Sequence, residues 1–373
     1  MKENPTILVA GDFCPRDRVL QHIMAGDISV LDSVHEVTAS VDYAIVNLEC
    51  PIVNGNAKPI VKSGPNLRAD ETALDVLKDA GFNGVTLANN HFYDYGDVGV
   101  QTTLSALQMR QMDYVGGGLN RQDAARLLYK EIAGIKLAIV NCCEQECSIA
   151  SDAYGGANPL NPIQQYYAIK EAKRNAKYVL VIVHGGSEHY QLPTPRMQET
   201  YRFFVDAGAD AVINHHQHCY SGLEVYQEKP IFYGLGNFCF DRPDRKNSIW
   251  NEGYMVKLEL RDGKVDYTLL PYIQCNEEPI VKWRKDRGEF DRKMSELNAI
   301  IADPNQLQAE FDKLVAQNKL LYQYYVEPYN SRIAKWLYKH HLLPSFMKRK
   351  YVVLANVIRC EAHRDRLLQT LKS

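Results

Sequence analysis

Side chains able to hold a cation recur at one kind of place along this chain. Gly11-Asp12 closes the apolar run TILVAG, Asn47-Leu48-Glu49 closes YAIV, and Asn89-Asn90-His91 closes VTLA. His184-Gly185-Gly186 follows YVLVIV, and Asn214-His215-His216-Gln217-His218 follows ADAVI. Carboxylates, amides and imidazoles are the oxygen and nitrogen donors that suit Zn, Mn or Fe. A single His after a strand is more often a hydrogen-bonded structural residue, and Gly-Asp is a common turn. Five strands ending this way point instead to one shared site. His216 and His218, two apart in a segment read as extended, project to the same side. That arrangement suits a pair of ions roughly 3.5–4 Å apart. Such a site supports metal-assisted hydrolysis, because a bound cation lowers the pKa of water from ~15.7 to about 7 and polarises the electrophile.

These donors meet only if their strands lie side by side in one direction. TILVAGDF, YAIVNLE, NGVTLANN, LAIVNCC, YVLVIVHGG, ADAVINHH and IFYGLGNF read as strands. Between them, 16–40, ADETALDVLKDAGF with its Gly81 stop, GVQTTLSALQMRQM, NRQDAARLL, 163–176 and 195–208 read as helical. That alternation implies crossover connections and an α/β fold, with a parallel or mixed sheet covered on both faces. In open α/β sheets the carboxyl ends of the strands converge on one crevice. YMVKLELRDGKVDYTLLPYI then alternates with period two around Asp262-Gly263, an edge hairpin. Beyond about residue 285 the pattern is helical, so the expected division is a domain at 1–284 and a helical, basic extension at 285–373.

Composition narrows the function classes. The 373 residues are 46% hydrophobic and 24% charged with a net charge of −2, ordinary for a globular protein. Neither the net charge nor any basic-aromatic patch near the motifs supports nucleic-acid binding. Nine cysteines at irregular spacing fit reduced thiols better than a disulfide framework. MKENPTILVAGDF has no signal-peptide apolar region and no run reaches the ~20 apolar residues of a membrane span. The expected location is therefore cytoplasmic. Residues 330–373 nevertheless carry ten Lys/Arg against two Asp/Glu. RIAKWLYKHHLLPSFMKRKYVVLANVI mixes aromatics, aliphatics and cations. It reads as a helical extension packed on the domain or a partner, or as an interfacial segment making peripheral membrane contact.

In order, GDFCPRDRV, VNLECPIV, TLANNHFYDYG, VIVHGGSEHY, DAVINHHQHCYSGLE and IFYGLGNFCFD resemble the CapA family of capsule-biosynthesis and poly-γ-glutamate synthesis proteins. That family is similar to the calcineurin-like metallophosphoesterases, so the resemblance implies a four-layer αββα sandwich. It covers roughly residues 5 to 245. It implies one or two divalent ions (Mn, Zn or Fe) held by Asp12, Glu49, Asn90, His184, His216 and His218, with Glu49 bridging. It places His91 beside the ligands, where it would protonate the leaving oxygen. Asp94 either orients that imidazole or closes an Asx turn in YDYG. Asn89 and His215 shape turns. Lys62 and Arg68, in a polar loop after the second motif, would hold an anionic group on the substrate. Glu188 would accept hydrogen bonds from sugar hydroxyls or an amine. Tyr190, Tyr220 and Asn237 are weaker candidates for the pocket, and Gly116-Gly117-Gly118 reads as a tight turn.

One position departs from the wider superfamily. Its first motif is usually Asp-x-His, and here the third residue is Cys14, either a buried neutral thiol or a thiolate ligand. The resemblance thus leaves open a two-ion site, a one-ion site, or a site without catalysis. It implies a metal-dependent hydrolase of an anionic or polymeric substrate, a phosphoester or a bond in a capsule or surface-polymer precursor. The alternative is a non-catalytic assembly component working with capsule-synthesis proteins.

Overall fold

The computed structural model describes residues 4–360, 363–364 and 366–367. Strands β1 (Thr6–Cys14), β2 (Tyr43–Leu48), β3 (Gly84–Thr86), β4 (Asp113–Val115), β5 (Gly117–Gly118), β6 (Leu128–Ile132), β7 (Ile135–Cys143) and β8 (Gly156–Ala157) come first. They are followed by β9 (Tyr178–His184), β10 (Ala211–His215), β11 (Leu223–Tyr226), β12 (Lys229–Phe232), β13 (Asn237–Phe240), β14 (Glu252–Arg261), β15 (Lys264–Gln274) and β16 (Val281–Trp283). One large sheet runs β16-β15-β14-β1-β2-β3-β4 with β13 also beside β1, a second runs β11-β12-β10-β9-β7-β6, and β5 and β8 form a separate two-stranded ribbon. The centre of each large sheet is parallel, β1 through β4 in the first and β7, β9, β10 and β12 in the second.

Side-chain alternation along β1 shows how the layers stack. Ile7 and Val9 face inward and pack with Leu137, Ile139, Leu180 and Ile213 of the other sheet. Leu8 and Ala10 face outward, onto Val19 and Ile23 of the helix Asp17–Met24 and Leu74 and Leu77 of Thr72–Asp79. Ile169 and Ala172 of Pro162–Asn175, with Met197 and Phe204 of Pro195–Ala207, cover the far side of the second sheet. The result is helix, sheet, sheet, helix, the four-layer α/β sandwich expected. Both covering helices begin with the same chemistry. Asn161 and Thr194 accept from first-turn N–H groups, each followed by a proline whose missing N–H costs nothing there.

Two sequence readings change. IFYGLGNF is not one strand: β12 lies in the second sheet and β13 in the first, and Gly236, at φ +79°, turns the chain between them. The segment therefore ties both sheets together beside the site. The helix Arg287–Ala302, placed by the sequence reading in the C-terminal extension, buries Phe290, Met294, Leu297 and Ile301 in the main hydrophobic core. Its Asn298 Oδ1 accepts from Leu223 N at 2.7 Å. The chain accordingly divides into two compact units at Leu307/Gln308 rather than at 284. Within the second unit, the buried Glu327 carboxylate accepts from Phe346 N (2.8 Å), Met347 N (3.2 Å) and the Tyr351 hydroxyl (3.2 Å). Among the described residues, no helix is long and apolar enough to cross a membrane.

Candidate metal centre

The parallel strands deliver their last residues to one edge shared by both sheets. Asp12 reaches it through an irregularity at Gly11, where pairing with β2 shifts register. A Cβ on Gly11 would lie 2.0 Å from the Gly236 carbonyl oxygen, so only glycine allows this approach. Asp12 is fully buried; its Oδ1 accepts from Asn47 Nδ2 (2.7 Å) and its Oδ2 from His216 N (3.2 Å). Glu49 follows β2, its N–H held by the Phe13 carbonyl at 2.9 Å. Its carboxylate is also fully buried, and neither oxygen has a hydrogen-bond partner among the described residues.

The turn after β3 is fixed from several sides. Asn89 Nδ2 donates to Leu48 O (2.8 Å) while its Oδ1 accepts from His91 N (3.1 Å), the turn-shaping role expected. Asn141 Oδ1 accepts from Ala88 N at 2.8 Å, and Ser148 Oγ donates to Asn90 O at 2.6 Å. His184 and His215 are register partners at the ends of β9 and β10. Beyond them the extended geometry expected for His216-Gln217-His218 is not found. Both histidines have left-handed backbones, φ +93° and +54°, conformations that cost about 1–3 kcal/mol each and collect at functional sites. The turn, rather than strand alternation, aims the two rings.

Two donor groups result, Glu49/His184/His216 and Asp12/Glu49/His218, in each of which the donor atoms lie within 4.8 Å of one another. Asn90 Oδ1 and His216 Nδ1 each stand 3.0 Å from His184 Nε2, which is 3.6 Å from Glu49 Oε1. His218 Nε2 is 3.8 Å from the same Glu49 oxygen. Asn237 Oδ1 lies 2.9 Å from His218 Nδ1; with the ring proton there, Nε2 keeps its lone pair toward Glu49. Glu49 is thus common to both groups.

Electrostatics favour the same reading. Burial, and next the neighbouring His216, hold His184 well below an ordinary imidazole, and burial pushes His218 down to about 4, so both rings are neutral donors. Burial would raise Asp12, but the neighbouring His215, with His184 and His218 behind it, brings it below the usual carboxylate range. Burial, then the charge of Asp12, raise Glu49 well above it. A buried carboxylate without a partner, facing a second carboxylate, is costly unless a cation lies between them. The donor set therefore fits divalent ions, with Asn90 adding an oxygen to the His184 side.

Beside this cluster, His91 Nδ1 lies 2.7 Å from Asp94 Oδ2, which also accepts from Leu67 N at 2.6 Å. The Lys62 ammonium, only 4% exposed, pairs with the other Asp94 oxygen. Asp94 thus joins the loop bearing Lys62 to the imidazole, and Lys62 is committed within the protein. Arg68 is exposed over the Tyr95 ring, 5.9 Å from its centre. Glu188 is exposed at the rim, where its charge reaches Glu49 and His218. Cys14 turns into the apolar core with Phe13 and Cys239, and burial, then the Cys50 thiol, push its pKa well up. Tyr220 packs on Phe290, and Gly116 leaves room for the Asn141 side chain. The reading passed over Asn47, although it stands two residues before Glu49 and so faces the same way. It gave His215 only a turn, yet the buried ring lies 3.4 Å from Asp12 Oδ1.

Residues 6–242 match the family described as bacterial capsule synthesis protein PGA_cap. The chain belongs to the PGA_cap family. It is similar to the capsule biosynthesis protein CapA of Bacillus anthracis, 34% identical over 230 residues, 60% of this chain and 55% of that protein. It is also similar to the PGA biosynthesis protein CapA of Bacillus subtilis, 32% identical over 263 residues, 69% of this chain and 68% of that one. The PGA_cap chain thus spans about half of the first relative's length. Among solved structures, a 5'-nucleotidase precursor from Thermus thermophilus aligns at 11% identity and TM-score 0.43, over 80% of this chain and 59% of that one.

Because the Lys62–Asp94 pair is buried, leaving either partner uncompensated is expected to cost about 3–5 kcal/mol. Lys62→Met and Asp94→Asn should each show this in chemical denaturation, and the double variant should lose less than the sum. Single variants within about 0.5 kcal/mol of the parent would show the pair to be solvated.

Proposed function

We propose that this PGA_cap protein is a metal-dependent hydrolase. Its substrate is anionic or polymeric, cleaved at a phosphoester or at a bond in a capsule or surface-polymer precursor. The observation that carries the proposal is the buried, unpartnered Glu49 carboxylate shared by two donor groups. Asp12, Glu49, Asn90, His184, His216 and His218 hold one or two divalent ions, Mn, Zn or Fe by donor type. Such ions supply Lewis acidity and lower the pKa of water. The protein's own contribution is positional. Asp94 holds the His91 Nδ1 proton, which leaves Nε2 to carry the proton for the departing oxygen. Lys62 fixes Asp94, while Arg68 and Glu188 meet the substrate outside the ligand shell.

The names of the Bacillus relatives support a place in capsule or poly-γ-glutamate synthesis, beside other proteins of that process. Relatives at 28% identity in Mycobacterium tuberculosis are called probable polyglutamine synthesis accessory proteins. Together with the inward turn of Cys14, this favours a second reading, a non-catalytic assembly component. Metal content and turnover separate the two. Purified protein should carry close to stoichiometric Mn or Zn and hydrolyse a phosphomonoester or phosphodiester, and His184→Gln should lose both properties. Metal without turnover of any ester would move the substrate to amide or glycosidic bonds, and no metal would leave the assembly reading.

We also propose peripheral membrane contact through the second unit, with the protein at the inner face of the membrane. Ile333, Trp336, Leu342, Phe346, Val352 and Val353 are exposed there, interleaved with Lys335, Lys339, Lys348, Arg349 and Lys350. Aromatics at the headgroup level and cations against anionic lipid match that pattern. The full chain should float with vesicles containing phosphatidylserine but not with purely zwitterionic ones, and Lys348→Glu/Arg349→Glu/Lys350→Glu should abolish flotation. Failure of the parent to float would refute the contact.

A further inference from the structure

The two donor groups are unequal. Glu49, Asn90, His184 and His216 supply four side chains on one side, whereas Asp12, Glu49 and His218 supply three on the other. The side chain that usually stands two residues after the first aspartate does not help, because the buried Cys14 thiol pairs with the Cys50 thiol and belongs to neither donor group. Asn237 is committed to His218 Nδ1. Besides His215, which lies against Asp12, the space for a further donor is on the open side of His218.

His189 stands there. Its ring centre is 6.1 Å from that of His218 and 5.8 Å from that of Trp250, which itself lies 4.7 Å from His218 in a tilted arrangement. The side chain is exposed and its ring makes no hydrogen bond to a described residue. Its backbone is left-handed at φ +60°, like those of His216 and His218. That conformation is strained for a residue with a Cβ and persists only when neighbours hold it. Here the neighbour is the ligand-bearing turn itself. His189 N donates to Gln217 O at 2.8 Å, and Gln217 Nε2 donates to Tyr190 O (2.8 Å) and Leu192 O (3.1 Å). The residue between the two histidine ligands therefore grips the loop that carries His189 and fixes where its imidazole begins.

We infer that His189 is a further metal ligand, completing the Asp12/Glu49/His218 position in place of the side chain that Cys14 does not supply. The inference rests on the metal-site reading above and adds a residue to it. In the structure the ring stands beside the donor group, and its lack of a partner leaves the side chain free to turn toward the ion.

The test is Mn(II) binding by the full chain, followed by electron paramagnetic resonance of free Mn(II), which needs no turnover. The parent should bind two ions, one more weakly. In His189→Gln and His189→Ala the weaker event should loosen at least roughly tenfold while the tighter one is unchanged. Cys14→Ser and Glu188→Gln should leave both events in place. Isotherms of the His189 variants that superimpose on the parent's would overturn the inference. So would loosening on Glu188→Gln or Cys14→Ser with the His189 variants silent, which would transfer the ligand to that residue. A parent that takes up no Mn(II) would bring down the metal-site reading itself, a failure distinguishable from the others because it appears before any substitution.

Discussion

A carboxylate taken out of water needs hydrogen bonds or a positive charge, and Glu49 has no hydrogen bond from any described residue. Its position is set by the chain, since β2 is buried along its whole length and Glu49 N is fixed to β1. The other carboxylate, Asp12, is ringed by Asn47, His215 and the His216 amide. Those contacts stabilise its charged form and so make Glu49 harder to ionise. The pair is self-consistent once a cation is shared between them, and the neutral His184 and His218 rings, together with His216, supply the remaining donors.

That constraint explains features which are otherwise liabilities. Gly11 and Gly236 let two backbones approach so closely that no side chain fits, bringing Asp12 to the edge. The left-handed His216 and His218 sacrifice backbone comfort to turn two rings toward one carboxylate. Asn47, Asn89, Asn141 and Asn237 are buried amides, each of which fixes one of the candidate donors or the turn that bears one. Local strain and buried polar groups gather here, while the rest of the two sheets is apolar and regular.

Much of this was legible in the chain. The central strands end in the residues that meet, because parallel strands in one fold finish at one edge, and the run of polar termini made that edge visible. The Asp262-Gly263 hairpin was equally clear from its period of two. Other parts were hidden for physical reasons. IFYGLGNF is apolar throughout, and nothing in that pattern says that its glycines carry the chain from one sheet to the other. The helix Arg287–Ala302 has an ordinary amphipathic stripe, which shows that it packs but not on what. Lys62 looked like a cation waiting for substrate, since a loop lysine gives no sign that an aspartate 32 residues later will bury it. The roles of Asn47 and His215 depend on a neighbouring strand, which spacing alone does not identify.

The proposed site holds one or two divalent ions at Glu49, and a crystal grown without chelator tests it most directly. An anomalous-scattering map collected at the absorption edge of the bound metal should show one peak among Glu49, Asn90, His184 and His216. A second ion would lie among Asp12, Glu49 and His218. A map with no peak beside Glu49, from protein supplied with Mn or Zn, would contradict the account.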